Sequence, residues 1–317
     1  MEGSAVPTRE DMEDRLIQPR LLRTLLVEPS QHPRRQAHVS SASGLVMIGP
    51  HACLVADDEN HLVLLPRDGI ESAPLDFLRL AEGELPADAA ARKRLKRDLE
   101  TLLVVPATSE APALLVALGS GSTPQRDFAY VLVLDASGVP QGHARRVSLT
   151  ALYDLLRAAL GEINIEAGLV QDDHLMLVHR AHAGDPSNAL VTIAMRDMHA
   201  LLHGAPPATA LAPVIVPLAL GELDGVPLGI TDAARAADGG WVFSAVAEAT
   251  DNAYDDGACV GSVLGQFDAE GRLVRMQRIE GGPKVEGVAF ASDTELWLAT
   301  DADDPAKPSA MYSVAWN

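Results

Sequence analysis

Aromatic residues make up only 4% of this 317-residue chain, although 47% of it is hydrophobic. A core must then be assembled from Leu, Val and Ala, and the aromatic faces that grip sugars and bases are scarce. Cysteine is scarcer still. Cys53 and Cys259 form no CxxC pair and no metal-ligand spacing, so a disulfide framework is excluded and both read as reduced thiols. Positive charge is also short, with 25 Lys and Arg against 44 Asp and Glu and a net charge of −19. A surface this acidic repels a phosphate backbone, which argues against a nucleic-acid partner. No run of 18 apolar residues occurs, and residues 1–20 are rich in charge without an apolar h-region. Neither a membrane span nor a secretory signal is therefore expected, and the chain reads as cytoplasmic.

What the chain does have is a repeated short word. Gly282-Pro283-Lys284-Val285-Glu286-Gly287-Val288-Ala289-Phe290 reads as a turn, one acid and a short apolar strand. Weaker copies, some with a hydroxyl in place of the acid, stand at Ser43, Glu100, Glu166 and Thr231, with spacings of 57, 66, 65 and 55 residues along the series from Ser43 to Glu286. A period of roughly 40 to 60 residues with about four short strands in each is the signature of β-propeller blades. The expectation is an all-β, five-bladed β-propeller.

Strands are expected near 44–48, 52–56, 61–66 and 75–80 in the first repeat, with Gly49-Pro50 and Asp68-Gly69 as turns. Later repeats read the same way. Residues 87–97 have helix propensity and are expected on the surface. In 148–160, Leu152, Leu155, Leu156 and Leu160 recur at helical spacing and predict an amphipathic packing helix. The last repeat offers only three strands, at 285–291, 295–300 and 310–316, so the apolar run 21–27 is expected to supply the fourth and cover both sheet edges. The domain reading is therefore a disordered segment 1–20 and a single propeller over 21–317.

In a propeller the first strand of each blade lines the central channel. Ser43, Glu100, Glu166, Thr231 and Glu286 would then form a ring about the axis. Three carboxylates facing one another repel unless protons or a cation neutralise them, and an all-oxygen donor set suits Ca2+ better than the smaller, stricter Mg2+. The alternative is that these acids only cap the inner strands through backbone N–H groups. The ends of the second strands look onto the same mouth and are polar: Asp57-Asp58-Glu59, Gly119-Ser120-Gly121-Ser122, His179-Arg180, 248–257 and Thr300-Asp301. The 248–257 stretch lacks EF-hand spacing and reads as a solvated acidic loop. Alternation puts His179 and Arg180 on opposite faces, so only one can reach the mouth. Arg126, Arg180 and Lys284 either balance the acids or hold an anionic group such as phosphate.

These words resemble the calcium-activated nucleotidases, the apyrase-type five-bladed propellers, and more distantly phytase- and esterase-like propellers. The resemblance covers residues 40–292. It rests on the ring order of hydroxyl, acid, acid, hydroxyl, acid, on Ser43-Gly44-Leu45, on the Asp57-Asp58 pair, on Arg180 and on Lys284-Val285-Glu286-Gly287. It implies a central calcium ion held by the ring and hydrolysis of a phosphate-containing small molecule. Asp57 and Asp58 become candidate catalytic residues, and Arg126, Arg180, Glu248 and Lys284 candidate substrate contacts. Departures fall on the substrate side, at Glu59-Asn60-His61, Gly119-Ser120-Gly121-Ser122 and Ala247. The competing expectation is a non-catalytic propeller with a structural ion and a protein ligand at its acidic rim.

Overall fold

The computed structural model describes residues 16–182, 184–205, 210–249 and 257–317. Five antiparallel sheets stand around one axis, and the first full-length strands of adjacent sheets touch in a closed ring. Blade 1 contains β2 (Ala42–Ile48), β3 (His51–Ala56), β4 (His61–Pro66) and β5 (Asp76–Arg79). Blade 2 contains β6 (Leu99–Val105), β7 (Leu114–Gly119), β8 (Phe128–Leu134) and β9 (Pro140–Ser148); blade 3 contains β10 (Ile165–Gln171), β11 (His174–His179), β12 (Asn188–Ala194) and β13 (Val214–Leu218).

Blade 4 has one strand more than the repeat predicts. Ahead of β15 (Val226–Arg235), β16 (Trp241–Ala249), β17 (Ala258–Phe267) and β18 (Leu273–Arg278) lies the two-residue β14 (Glu222–Leu223). Asp224 and Gly225 join it to β15 at φ of 52° and 82°, the left-handed pair that a two-residue hairpin turn requires. Blade 5 is closed as the missing fourth strand demanded: β1 (Arg20–Thr24) pairs with β21 (Ala310–Ala315), which continues through β20 (Glu295–Asp301) to β19 (Lys284–Ser292). Leu22 and Leu25 bury into the core between blades 5 and 1. Most of the 1–20 segment expected to be disordered lies outside the described residues.

Aliphatic side chains fill the spaces between blades. The main aromatic cluster, Trp241, Phe243 and Phe267, sits in blade 4 with two rings stacked at 4.5 Å. Helix α1 (Ala89–Leu95) joins blades 1 and 2, starting at Asp88, whose carboxylate accepts the Ala91 N–H at 2.8 Å. It lies on the surface as expected for 87–97, but two residues of the stretch, Arg92 and Lys96, are buried and reach the axial mouth. Helix α2 (Thr150–Leu160) buries Leu152, Tyr153 and Leu156 and leaves Leu155 exposed, so Tyr153 replaces Leu155 in the packing stripe. Helix α3 (Met195–Leu202) follows β12. No described helix is long and apolar enough to cross a membrane. Both cysteines are free, and burial pushes the Cys53 thiol up to about 12.

Candidate functional site

Every inner strand breaks register at the position read from the repeat. The shifts fall between Ala42 and Leu45, Leu99 and Thr101, Ile165 and Ala167, Ile230 and Asp232, and Val285 and Gly287. They bracket Ser43, Glu100, Glu166, Thr231 and Glu286. A bulge leaves one residue outside the ladder and re-aims its side chain, so five bulges in equivalent places turn a strand motif into a ring motif. The glycines beside them have a steric cause. A Cβ at Gly44 would lie 2.6 Å from the Glu100 carbonyl oxygen, and one at Gly287 would lie 2.7 Å from that of Ser43.

The mouth divides into two groups. On the blade 1–2 side, Ser43 Oγ lies 2.8 Å from Glu100 Oε2, to which it donates. Asp57, Asp98 and Glu100 bring carboxylate oxygens within 4.8 Å of one another, the one such trio among the described residues. Asp98 adopts a left-handed φ of 55°, which Asp tolerates. Lys96 Nζ contacts Asp57 and lies 3.0 Å from Asp98 Oδ1, Arg126 Nη1 lies 2.7 Å from Asp98 Oδ2, and Arg92 Nε lies 2.8 Å from Asp58 Oδ2.

On the blade 3–5 side, Arg180 bridges Glu166 at 3.3 Å and Glu248 at 2.5 Å. Lys284 lies 3.1 Å from Glu286, 3.3 Å from Glu248 and 2.5 Å from Asp303. Asp301 stands opposite Lys284 at the start of the blade. Across both groups, nine carboxyl groups meet five cations, and the balance is negative. Burial pushes the Asp57 carboxyl up to about 7 and those of Glu166 and Asp301 up to about 8, with neighbouring acids adding to each. Glu100 is held well above the usual carboxylate range by burial and by Glu166. Glu248 and Asp98 go the other way: burial opposes it, but Arg180 and Lys284 hold Glu248 low, and Lys96 and Arg126 hold Asp98 low.

Several oxygens have neither a hydrogen-bond partner nor a cation in contact: Asp57 Oδ1, Glu166 Oε2 and Glu286 Oε2, whereas Glu286 Oε1 is held by Lys284. Uncompensated buried acceptors of this kind call for a proton or a ligand. Thr231 differs from the other ring positions, since its hydroxyl donates to the Val285 carbonyl at 2.7 Å and lies 2.9 Å from Ser244 Oγ. It joins blade 4 to blade 5. Beside it Asp232, fully buried, accepts N–H bonds from Leu45 at 3.1 Å, Val288 at 2.8 Å and Ala233 at 2.8 Å. Beyond this tether the channel turns apolar, ending in a cavity of about 260 Å³ bordered by Leu45, Leu103, Leu169, Ala233 and Phe290. The chemistry sits at one end.

Of the residues singled out in the sequence, Ser43, Glu100, Glu166, Glu286, Asp57, Asp58, Arg126, Arg180, Glu248 and Lys284 all reach this mouth. Arg126, Arg180 and Lys284 are each ion-paired there. His179 is buried on the opposite side from Arg180, where its Nδ1 accepts the Asn164 N–H at 3.0 Å and burial pushes its pKa down to about 4. Most of the acidic stretch after Glu248 lies outside the described residues. Sequence reasoning placed Asp301 at the mouth but missed Arg92, Lys96, Asp98 and Asp303 as site residues and Asp232 as the tether. One signal was present: Asp98, Asn164 and Lys284 each precede a ring glutamate by two, the spacing that returns a strand side chain to the same face.

The glutaminyl cyclase of Myxococcus xanthus is similar over 96% of this chain and 100% of its own, at 12% identity and a TM-score of 0.45. The mannose phosphorylase MPT-4 of Leishmania mexicana is similar over 96% and 90%, at 12% identity and a TM-score of 0.47. The PQQ-bound aldose sugar dehydrogenase of Streptomyces coelicolor is similar over 94% and 98%, at 10% identity and a TM-score of 0.44. At these scores none bears on activity. No curated protein matches the sequence. Residues 38–315 match the model of DUF6929, a family of unknown function, and the chain belongs to that family.

Proposed function

We propose that this protein is a cation-binding propeller whose axial mouth holds a divalent ion, calcium by its donor chemistry, and that it hydrolyses a phosphate-containing small molecule there. The observation that carries the reading is the excess of buried acid, with unpartnered oxygens on Asp57, Glu166 and Glu286. Asp57, Asp98 and Glu100 are the carboxylates that would hold the ion, with the unpartnered Oε2 atoms of Glu166 and Glu286 as further candidates. An all-oxygen set of this size fits calcium and leaves a softer metal without N or S ligands. Bound there, the ion would supply a Lewis acid for a phosphoryl oxygen.

The hydrolytic half rests on the ring order shared with the calcium-activated nucleotidases and on Asp57. Its side chain is 20% exposed at the mouth and its Oδ1 lacks a hydrogen-bond partner, so that oxygen can accept a proton from water. Asp58, fixed by Arg92, would hold the same loop. Arg180 and Lys284 would orient the anionic group from the opposite side, and Glu248 sets their positions. A second reading, a non-catalytic propeller with a structural ion and a protein or cationic ligand, is favoured by one observation: Arg92, Lys96, Arg126, Arg180 and Lys284 are all engaged by acids.

The test has two arms. Protein stripped with EGTA is melted with added calcium or magnesium, and calcium is expected to raise the midpoint further, by an amount growing with the logarithm of free ion. Nucleoside di- and triphosphates, phytate and simple phosphomonoesters are then assayed for phosphate release, which Asp57→Ala abolishes. A melting curve indifferent to calcium and chelator would reassign the acids to structural capping. A calcium response without phosphate release selects the non-catalytic reading.

A further inference from the structure

Lys96 follows α1 as its C-cap, with its backbone N–H donating to the Arg92 carbonyl at 2.7 Å. Its ammonium is 9% exposed and lies among Asp57, Asp98 and Asp58, the last at 3.8 Å. Two of these acids belong to the trio with Glu100. An ammonium and a divalent ion cannot share those oxygens, since like charges at contact repel strongly in a water-poor site. Lys96 also leaves the demand incomplete. With it in place, Asp57 Oδ1, Glu166 Oε2 and Glu286 Oε2 still lack partners, and the Glu166 and Glu286 side chains are 4% and 7% exposed.

Resting on the reading of the mouth as a cation site, we propose that Lys96 is a built-in counter-cation. It occupies the ion's place in the calcium-free protein and yields it when the ion binds. Asp58 lies outside the trio and is the acceptor onto which the ammonium withdraws. Arg92 holds Asp58 there while its Nη1 donates to the Pro86 and Ala87 carbonyls at 3.2 and 2.9 Å. The linker between blades 1 and 2 thereby sets how tightly the propeller takes its ion. Calcium must displace a tethered charge, so the site fills only above a threshold concentration.

The experiment is calorimetric titration of calcium into EGTA-stripped wild type, Lys96→Met and Lys96→Arg. Removing the ammonium while keeping the chain length should tighten calcium binding roughly 10- to 100-fold. The bulkier, permanently charged arginine should weaken it several-fold. Lys96→Met should melt below wild type in EGTA and recover with calcium; if it folds only when calcium is present, that dependence is the same result. Binding by wild type with equal or weaker binding by Lys96→Met overturns the proposal and leaves the cation site standing. So does equal or tighter binding by Lys96→Arg, which decides the matter if Lys96→Met does not fold. Absence of binding in all three removes the cation site itself.

Discussion

The acid cluster should make the ion-free protein more stable near pH 7 than at pH 9. In the unfolded chain these carboxyls titrate near pH 4, whereas in the fold burial pushes Asp57 up to about 7 and Glu166 and Asp301 up to about 8. Between about pH 5 and 7 the folded state therefore holds protons that the unfolded state has released. The stability they contribute is fully present below pH 4 and gone above about pH 9, but below about pH 6.5 His32, His61 and His179, which burial pushes down to about 4, act in the opposite direction, so the acids are read above pH 7. The acids repel one another and share protons. With a single extra proton held, unfolding free energy falls by about 1.4 kcal/mol from pH 7 to 8. The net charge of −19 pulls the same way, but exposed charges are screened by salt and buried ones much less so. The assay is urea unfolding in EGTA across this range with about 0.5 M KCl, repeated with calcium. Calcium should flatten the curve, so its benefit widens with pH. A chelator curve that stays level or climbs from pH 7 to 9 would refute the reasoning.

Three further outcomes are expected. Asp232→Ala strips the acceptor from three buried N–H groups on blades 1, 4 and 5 and should cost about 3 kcal/mol or more in chemical denaturation; a loss below about 1 kcal/mol would mean the tether is not needed. Deleting residues 1–28 removes β1 with buried Leu22 and Leu25, which should lower the thermal midpoint sharply, since each buried leucine is worth about 2 kcal/mol. An unchanged midpoint would sink the closure argument. Glu286→Gln keeps size but removes one charge whose Oε2 lacks a partner; it should weaken the calcium-dependent rise in melting temperature while the ion-free protein melts no lower than wild type.

The blades were legible because a strand's alternation and a repeat's period are carried by neighbouring residues. Ser43, Glu100, Glu166, Thr231 and Glu286 could be aligned without coordinates, and each coincides with a bulge. The closing strand followed from a count, since three strands at one end and an unassigned apolar run at the other leave edges that must pair. Where local pattern misled, tertiary packing was the cause. Residues 87–97 lie on the surface as their composition suggests, yet Arg92 and Lys96 turn inward to pair with Asp58 and Asp57. Leu155 fits the helical stripe but faces solvent, while Tyr153 reaches the Gly119 carbonyl at 2.8 Å.

By itself, then, the sequence determined the architecture, the channel-lining strands and the acidity of the mouth, all properties of local periodicity and composition. Only the tertiary structure decided how that acid is neutralised. Lys96 meets Asp57 across 39 residues and Arg180 meets Glu248 across 68, and such pairings depend on which loops of different blades converge. The same convergence splits the five-membered ring, turning Thr231 into a bond between blades and gathering Asp57, Asp98 and Glu100 into the one close trio among the described residues. A carboxylate's partner is set by distances of a few ångströms between strands far apart in the chain, and no spacing along the sequence encodes that.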